Sequence, residues 1–306
     1  MKPKITVIGS SNIDLILRIP RFPKPGETIL SGEFSTAQGG KGANQAVAAA
    51  RAGGDVHFIT RVGNDDLGKN AVSAYRTENL NLEHCIVDNN TSNGVAMIFV
   101  NGNGENCIGV ASGANNNLDR EHIRMGKDAI KSSSLILLQL EIPLDSVKEA
   151  VAVAHAANIP IILNPAPAQK LDNELLKCVS ILTPNESETE ILTGISLTSD
   201  DQIKNAAQNL RRQGISIVII TLGSHGVYVA SKELNEFILG FNVRTVDTTA
   251  AGDVFNGALA VAIAEKKTLY ESIRFANAAA AISVTKLGAQ PSAPRRNEIE
   301  LFLRTN

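Results

Sequence analysis

Tryptophan is absent from this chain, and aromatic residues make up only 4% of its 306 residues. A core of that size must then be built from aliphatic side chains, which suits the layers of an α/β protein better than a fibrous or disordered chain. Cysteine is scarce too. Cys85, Cys107 and Cys178 are odd in number and far apart, which argues against a disulfide framework and against paired zinc ligands, and a reducing cytoplasm is the expected compartment. The five histidines are dispersed and read as structural or surface residues. Charge of one sign is also lacking. The 29 Lys and Arg against 31 Asp and Glu leave a formal charge of −2, spread along the chain, so the footprint of a nucleic-acid binder is missing and the expected partner is a small molecule. No apolar run reaches bilayer length, and the opening ITVIGS is too short for a signal-peptide core; neither export nor membrane insertion is expected. With no internal repeat and no Pro- or Ser-rich linker, residues 1–306 are expected to form a single domain.

What is present is a succession of short β-branched runs, at 5–8, 56–62, 135–140, 159–163, 181–183 and 215–221, separated mostly by Ala-rich or amphipathic helical patterns. That alternation predicts an α/β fold: a doubly wound, mostly parallel sheet with helices on both faces. Ligands of such sheets lie beyond the carboxyl ends of strands, where this chain carries SSNID, NPAPA, TPNESE and TLGSHG. Two segments break the pattern. Residues 15–37, with the turn chemistry PRFPKPGET, and 94–114, where VAMIFV and CIGVA flank NGNGEN as a hairpin, predict a small β-sheet that serves either as a lid or as a plain edge extension.

The strongest local signal is DTTAAGD, residues 247–253, followed by the apolar run VFNGALAVAIAE. A tight small-residue turn opening a buried helix leaves N–H groups at the positive end of the helix dipole, where a transferring phosphoryl group is stabilised. Asp253 at that point could take the proton of an attacking hydroxyl, or simply cap the helix. The second signal is GGKGANQAVAAARAGG, residues 39–54. It lacks the GxxxxGK[ST] spacing of a Walker loop but permits close approach to bare backbone, with Lys41 and Asn44 adding a cation and an amide. Close helix packing would explain its glycines but not Lys41. Asn12 and Asp14 can hold two adjacent sugar hydroxyls, or form a turn pair. Asn185 and Glu188 sit three apart, spaced for the waters of a phosphate-bound metal or for a capping box.

With GGKGAN early, NESE in the middle and DTTAAGD late, the whole length of the chain resembles the ribokinase (PfkB) family of carbohydrate kinases. The resemblance implies a phosphotransferase using ATP and Mg²⁺ on a sugar's primary hydroxyl, with a lid that also builds a homodimer. It makes Asp253 the base and the N–H groups of Ala251, Gly252 and Asp253 the anion hole, with Ala250 where many members have glycine. It surrounds the sugar with Asn12, Asp14, Gly40, Lys41, Asn44 and Glu141. The nucleotide falls to Asn185, Thr221, Gly223, Ser224, Gly226, Gly252 and Asn277, and the Mg²⁺ to Glu188 through water. A monovalent cation, K⁺, is implied beside Asp247, Thr249, Ser283, Lys286, Gly288 and Ser292, several through backbone.

The family leaves the sugar open. No Lys or Arg cluster around residues 12–44 or 94–114 offers to meet a sugar phosphate, and Phe22, Phe34 and Phe99 are the only lid aromatics for a nucleoside base. The Asn12 amide favours D-ribose over 2-deoxyribose, and fructose and adenosine stand as alternatives. A sugar-binding protein without catalysis is opposed by the presence of Lys41 and Asp253. A dinucleotide oxidoreductase is opposed by GSSNID where GxGxxG would stand.

Overall fold

The computed structural model describes residues 2–30 and 32–306, so position 31 of the expected lid segment lies outside the described residues. The strands are β1 Lys4–Ile8, β2 Asn12–Arg18, β3 Glu33–Gly39, β4 Asp55–Gly63, β5 Cys85–Asp88, β6 Gly94–Val100, β7 Asn106–Ala111, β8 Leu135–Leu138, β9 Ile161–Leu163, β10 Ile181–Leu182, β11 Ile217–Thr221, β12 Val227–Ala230 and β13 Asn235–Ile238. Nine form one sheet in the order β13-β12-β11-β10-β9-β8-β1-β4-β5. Its pairings are parallel from β5 to β11, and only the β11-β12-β13 edge is antiparallel. The chain leaves β1 toward β4 on one side and β8 on the other, so the carboxyl end of β1 is the switch point where such sheets open a crevice. Ile5, Val7, Ile8, Phe58, Leu135 and Leu137 are fully buried there, as expected of strands covered on both faces.

The second sheet runs β3-β2-β6-β7. It starts earlier than residue 15: the chain passes from β1 into β2 within Gly9–Ser11, so Asn12 and Asp14 belong to the small sheet itself. Register puts Asn12 opposite Gly94, Asp14 opposite Ala96, and Ile16 opposite Ile98, on one face. Leu15, Leu17, Phe34 and Phe99 take the other face because strand side chains alternate. The two aromatics therefore point away from Asn12 and Asp14.

Two helices connect these sheets to the switch point. Helix Lys41–Arg51 buries Gly42 through Ala49, and helix Ala251–Ala264, apolar almost all round, buries Asp253 through Ala262. They cross closely because Gly257 has no side chain. A Cβ there would lie 2.6 Å from Ala48 Cβ and 2.7 Å from both Ala49 N and Gln45 O.

Candidate active site

Helix Lys41–Arg51 presents no free N-terminus. The Lys41 N–H donates to Glu141 Oε2 at 2.9 Å, the Gly42 N–H to Ser10 Oγ at 3.2 Å, and the Ala43 N–H to the Ser10 carbonyl at 2.9 Å. Ser10 Oγ also donates to Glu141 Oε2, so Glu141 clasps the glycine-rich turn to the end of β1. The bare backbone expected to meet a ligand at GGKGAN is thus largely bonded to the protein. The glycines serve the clasp instead: a Cβ on Gly42 would collide with Ser10 N, and Gly40, at φ 85°, lies too near Asn12 N for any side chain.

Helix Ala251–Ala264 is different. Its Ala251 N–H closes the turn on the Thr248 carbonyl at 3.2 Å, so one of the three groups expected in the anion hole is already engaged. The Gly252 and Asp253 N–H groups find no acceptor among the described residues, and space above Gly252 is open. A phosphoryl group is therefore best received at this helix. Asp253 does not cap it. Its Oδ2 accepts from Asn44 Nδ2 at 3.0 Å and its Oδ1 from Gln45 Nε2 at 2.9 Å, both across the helix crossing. Burial pushes the Asp253 carboxyl upward, against the opposing pull of Lys41, Asn44 and Gln45, which makes it a stronger proton acceptor than a free carboxylate. Burial also pulls the Lys41 ammonium down, but Asp253, Glu141 and Glu188 outweigh it and the net shift is upward, so Lys41 stays charged.

Two substitutions probe this frame. Gly257→Ala is expected to force the helices apart, destabilising the protein by about 1–3 kcal/mol in chemical denaturation and lowering turnover as the amides retreat from Asp253. Ala250 sits at φ 59° and ψ 14°, a left-handed conformation that disfavours a Cβ. Ala250→Gly relieves it at the expense of a more flexible unfolded chain, and a net gain of about 0.5–1 kcal/mol is expected in thermal unfolding.

On the sugar side, Asn115 Nδ2 donates to Asn12 Oδ1 at 2.7 Å, and Asn115 Oδ1 accepts the Ser11 N–H at 2.8 Å. The Asn12 NH₂ makes no hydrogen bond among the described residues. Gly94 is what lets the Asn12–Asn115 pair approach, and Gly39 leaves the space that the Asp14 carboxylate fills. Burial, then the nearby Glu141 and Asp253 charges, push the Asp14 carboxyl up to about 6. Between its ordinary value of 3.8 and about 6 the folded state holds a proton the unfolded chain gives up, so Asp14 lowers folding stability as pH rises through that window. Sugar affinity should move the other way. As pH falls from 7 to 5, Asp14 ceases to be a full acceptor, and calorimetric titration with sugar is expected to show binding several-fold weaker at pH 5; flat affinity across this range would sink the assignment.

Beyond β10 and β11, Asn185, Thr221, Gly223, Gly226, Ala251, Gly252 and Asn277 line a cavity of about 440 Å³. A cavity of about 530 Å³ adjoins it, lined by Ser224, His225, Leu239, Phe241, Val243 and Val284 among others. Asn185 and Glu188 form a reciprocal capping box, each side chain accepting the other's N–H at 2.8 Å. Burial raises the Glu188 carboxyl, opposed by the Asn185 N–H and Lys41. Asp247 Oδ1 accepts the Thr249 N–H and hydroxyl at 2.9 and 2.6 Å, and Oδ2 the Gly288 N–H at 2.9 Å. Burial opposes ionisation there, but these bonds hold the Asp247 carboxyl below its ordinary range. Lys286 Nζ pairs with Glu298, the Ser283 and Ser292 hydroxyls donate to the carbonyls of Ala280 and Ala289, and the Ser283 carbonyl accepts the Lys286 N–H at 3.0 Å.

The family model described as pfkB family carbohydrate kinase matches residues 2–296. The chain belongs to the pfkB family of carbohydrate kinases. A ribokinase of Haemophilus influenzae is 46% identical over 303 residues, covering 99% of each chain. A deoxyribokinase of Salmonella typhimurium is 37% identical with the same coverage. Among solved structures, an Arabidopsis thaliana ribokinase complexed with ribose and ATP is 34% identical, covers 99% of each chain and superposes with a TM-score of 0.93.

In this pfkB chain the structure brings Asn12, Asp14, Lys41, Asn44, Glu141 and Asp253 into one polar cluster, and sets Asn185, Thr221, Gly223, Ser224, Gly226 and Asn277 around adjoining cavities. Sequence reasoning missed Gln45, Asn115, Asn164 and Gly257, and the apolar wall of Leu239, Val243 and Val284. His225, read as a structural or surface residue, is exposed and borders the cavity. Gln45 directly follows GGKGAN, and a polar residue just before the apolar run AVAAA was the available signal. Asn164 opens NPAPA beyond β9, one of the strand-end clusters, and donates to the Thr183 carbonyl.

Proposed function

We propose that this protein is an ATP-dependent kinase that phosphorylates the 5-hydroxyl of D-ribose, giving ribose 5-phosphate and ADP. The observation that carries this reading is Asp253: a buried carboxylate clamped by two amides, near the Lys41 charge and in the first turn of a helix whose Gly252 and Asp253 N–H groups find no acceptor among the described residues. Asn12 and Asp14 present a donor and an acceptor to neighbouring hydroxyls. Glu141, with one oxygen tied to the glycine-rich turn, bounds the pocket. Asp253 takes the proton of the hydroxyl. Gly252 and Asp253 N–H groups and the Lys41 ammonium meet the transferred phosphoryl charge.

The cavities suit a nucleotide, with Thr221 to Gly226 and Asn277 beside an apolar wall for its base. Glu188, with one oxygen on the Asn185 N–H, has its other oxygen for a water of Mg²⁺, which would neutralise phosphate charge. Asp247, which ties residues 247–249 to Gly288, suits K⁺, with oxygens of Thr249, Ser283, Lys286, Gly288 and Ser292 around it. The small sheet is read as a lid on a single domain. Phe34, Met97, Ile108 and Val110 are exposed on it, which supports a homodimer built there. No helix among the described residues is long and apolar enough to cross a membrane, and the cytoplasm remains the expected site of action.

The test is ADP release in a coupled assay over ribose, 2-deoxyribose, fructose and adenosine, each with potassium and with sodium. Ribose with potassium is expected to be fastest. A clear win for fructose or adenosine would remove the substrate assignment. The second reading is 2-deoxyribose, favoured by the Salmonella relative and by Asn12 having one oxygen lone pair already taken by Asn115.

A further inference from the structure

Gln45 is fully buried in the helix Lys41–Arg51, and its amide is pinned from both ends. Gln139 Nε2 donates to Gln45 Oε1 at 2.6 Å, while Gln45 Nε2 donates to Asn164 Oδ1 at 3.0 Å and to Asp253 Oδ1 at 2.9 Å. Asn164 is itself held, because its Nδ2 donates to the Thr183 carbonyl at 3.0 Å, and its oxygen must then face Gln45. Reversing the Gln45 amide would set oxygen against the oxygens of Asn164 and Asp253, and NH₂ against NH₂ at Gln139. One orientation survives, with its N–H aimed at Asp253. Asn44 is placed differently. Its oxygen accepts from Gln290 Nε2 at 3.2 Å and its NH₂ faces the pocket, where a sugar hydroxyl competes for it. Gln45 meets no such competitor, since its remaining partners are buried side chains.

We propose that Gln45 is a positioning residue that holds the plane of the Asp253 carboxylate through the catalytic cycle, tying Oδ1 so that Oδ2 faces the sugar hydroxyl. The inference rests on the reading of Asp253 as the base. Its physical content is twofold. A carboxylate with one oxygen fixed cannot rotate away from the in-line geometry, and a donated N–H offsets the burial that favours its protonated form.

The test uses Gln45→Met, nearly the same shape without the donor, followed by thermal unfolding, the split between kcat and KM for the sugar, and the pH profile of kcat/KM. Expected are a KM within about threefold of the parent and a kcat lower by about 10- to 100-fold. The acid limb of the profile should move upward by about half to one pH unit. Gln45→Glu is the second variant. It keeps the bond from Gln139 but sets a carboxyl against Asp253, so the two share a proton and the acid limb moves up further. A folded Gln45→Met with the parent kcat and acid limb overturns the inference, as does one whose only change is a lower melting temperature. If Gln45→Met does not fold, an unmoved acid limb in Gln45→Glu overturns it and a raised one supports it. Asp253→Asn run alongside separates the two readings: near-normal turnover there removes the base itself, whereas lost turnover beside an unaltered Gln45→Met removes only the positioning role.

Discussion

Asp253→Asn is expected to lower turnover by about 10²- to 10⁴-fold while sugar still binds within a few-fold of the parent affinity. The other polar groups, Asn12, Asp14, Lys41 and Glu141, lie outside the helix Ala251–Ala264 and do not lean on Asp253 for their position. An amide at 253 accepts from Asn44 or from Gln45 but not from both, because its own NH₂ must face one of theirs. The loss of one internal bond is expected to shift thermal unfolding modestly, by the equivalent of about 1 kcal/mol. Coupled-assay turnover and calorimetric titration with ribose, measured on the same preparation, check both halves of the statement. Turnover near the parent value would exclude Asp253 as the base.

Lys41→Met should show nearly as large an effect through a different route. Lys41 carries a charge whose field meets Asp253, Glu141 and Glu188 together. Without it, the free site holds carboxylates with no counter-charge, and the transferring group loses a fixed positive charge in a region of low dielectric. A fall in kcat of about 10²- to 10³-fold is expected, the range seen when one preorganised stabiliser of transition-state charge is removed. The pH profile distinguishes the two substitutions. In Lys41→Met the acid limb should move upward, because Asp253 and Glu188 both lose an opposite charge; in Asp253→Asn the residual activity should lose that limb. An unmoved limb in Lys41→Met would mean that its ammonium does not govern Asp253.

Much of this was readable from local pattern. The apolar runs that became β1, β4, β8, β9, β10 and β11 are short, β-branched and buried on both sides, so composition alone marks them. The β12–β13 hairpin and β5 were not marked, because each is only four residues long and the edge hairpin carries exposed polar positions. NGNGEN between two apolar runs did announce β6 and β7. The beginning of the small sheet at Asn12 was missed because the polar stretch SSNID reads as a turn, and only its ladder to Gly39 and Gly94 makes it a strand.

Helix-forming runs, turn glycines and the alternation of β and α depend on neighbours within a few residues, and so the α/β class and the two candidate phosphate-side turns followed from the chain alone. Which turn is available to an anion did not. GGKGAN and TTAAGD look alike as small-residue turns that open helices, yet Ser10 and Glu141, 32 and 100 residues from their partners, occupy the first N–H groups of one and leave Gly252 and Asp253 of the other open. The same holds for the clamp on Asp253, whose donors lie 209 and 208 residues away and reach it only because Gly257 lets two helices touch. Hydrogen bonds across such distances are set by how the layers pack, and no local pattern contains that information.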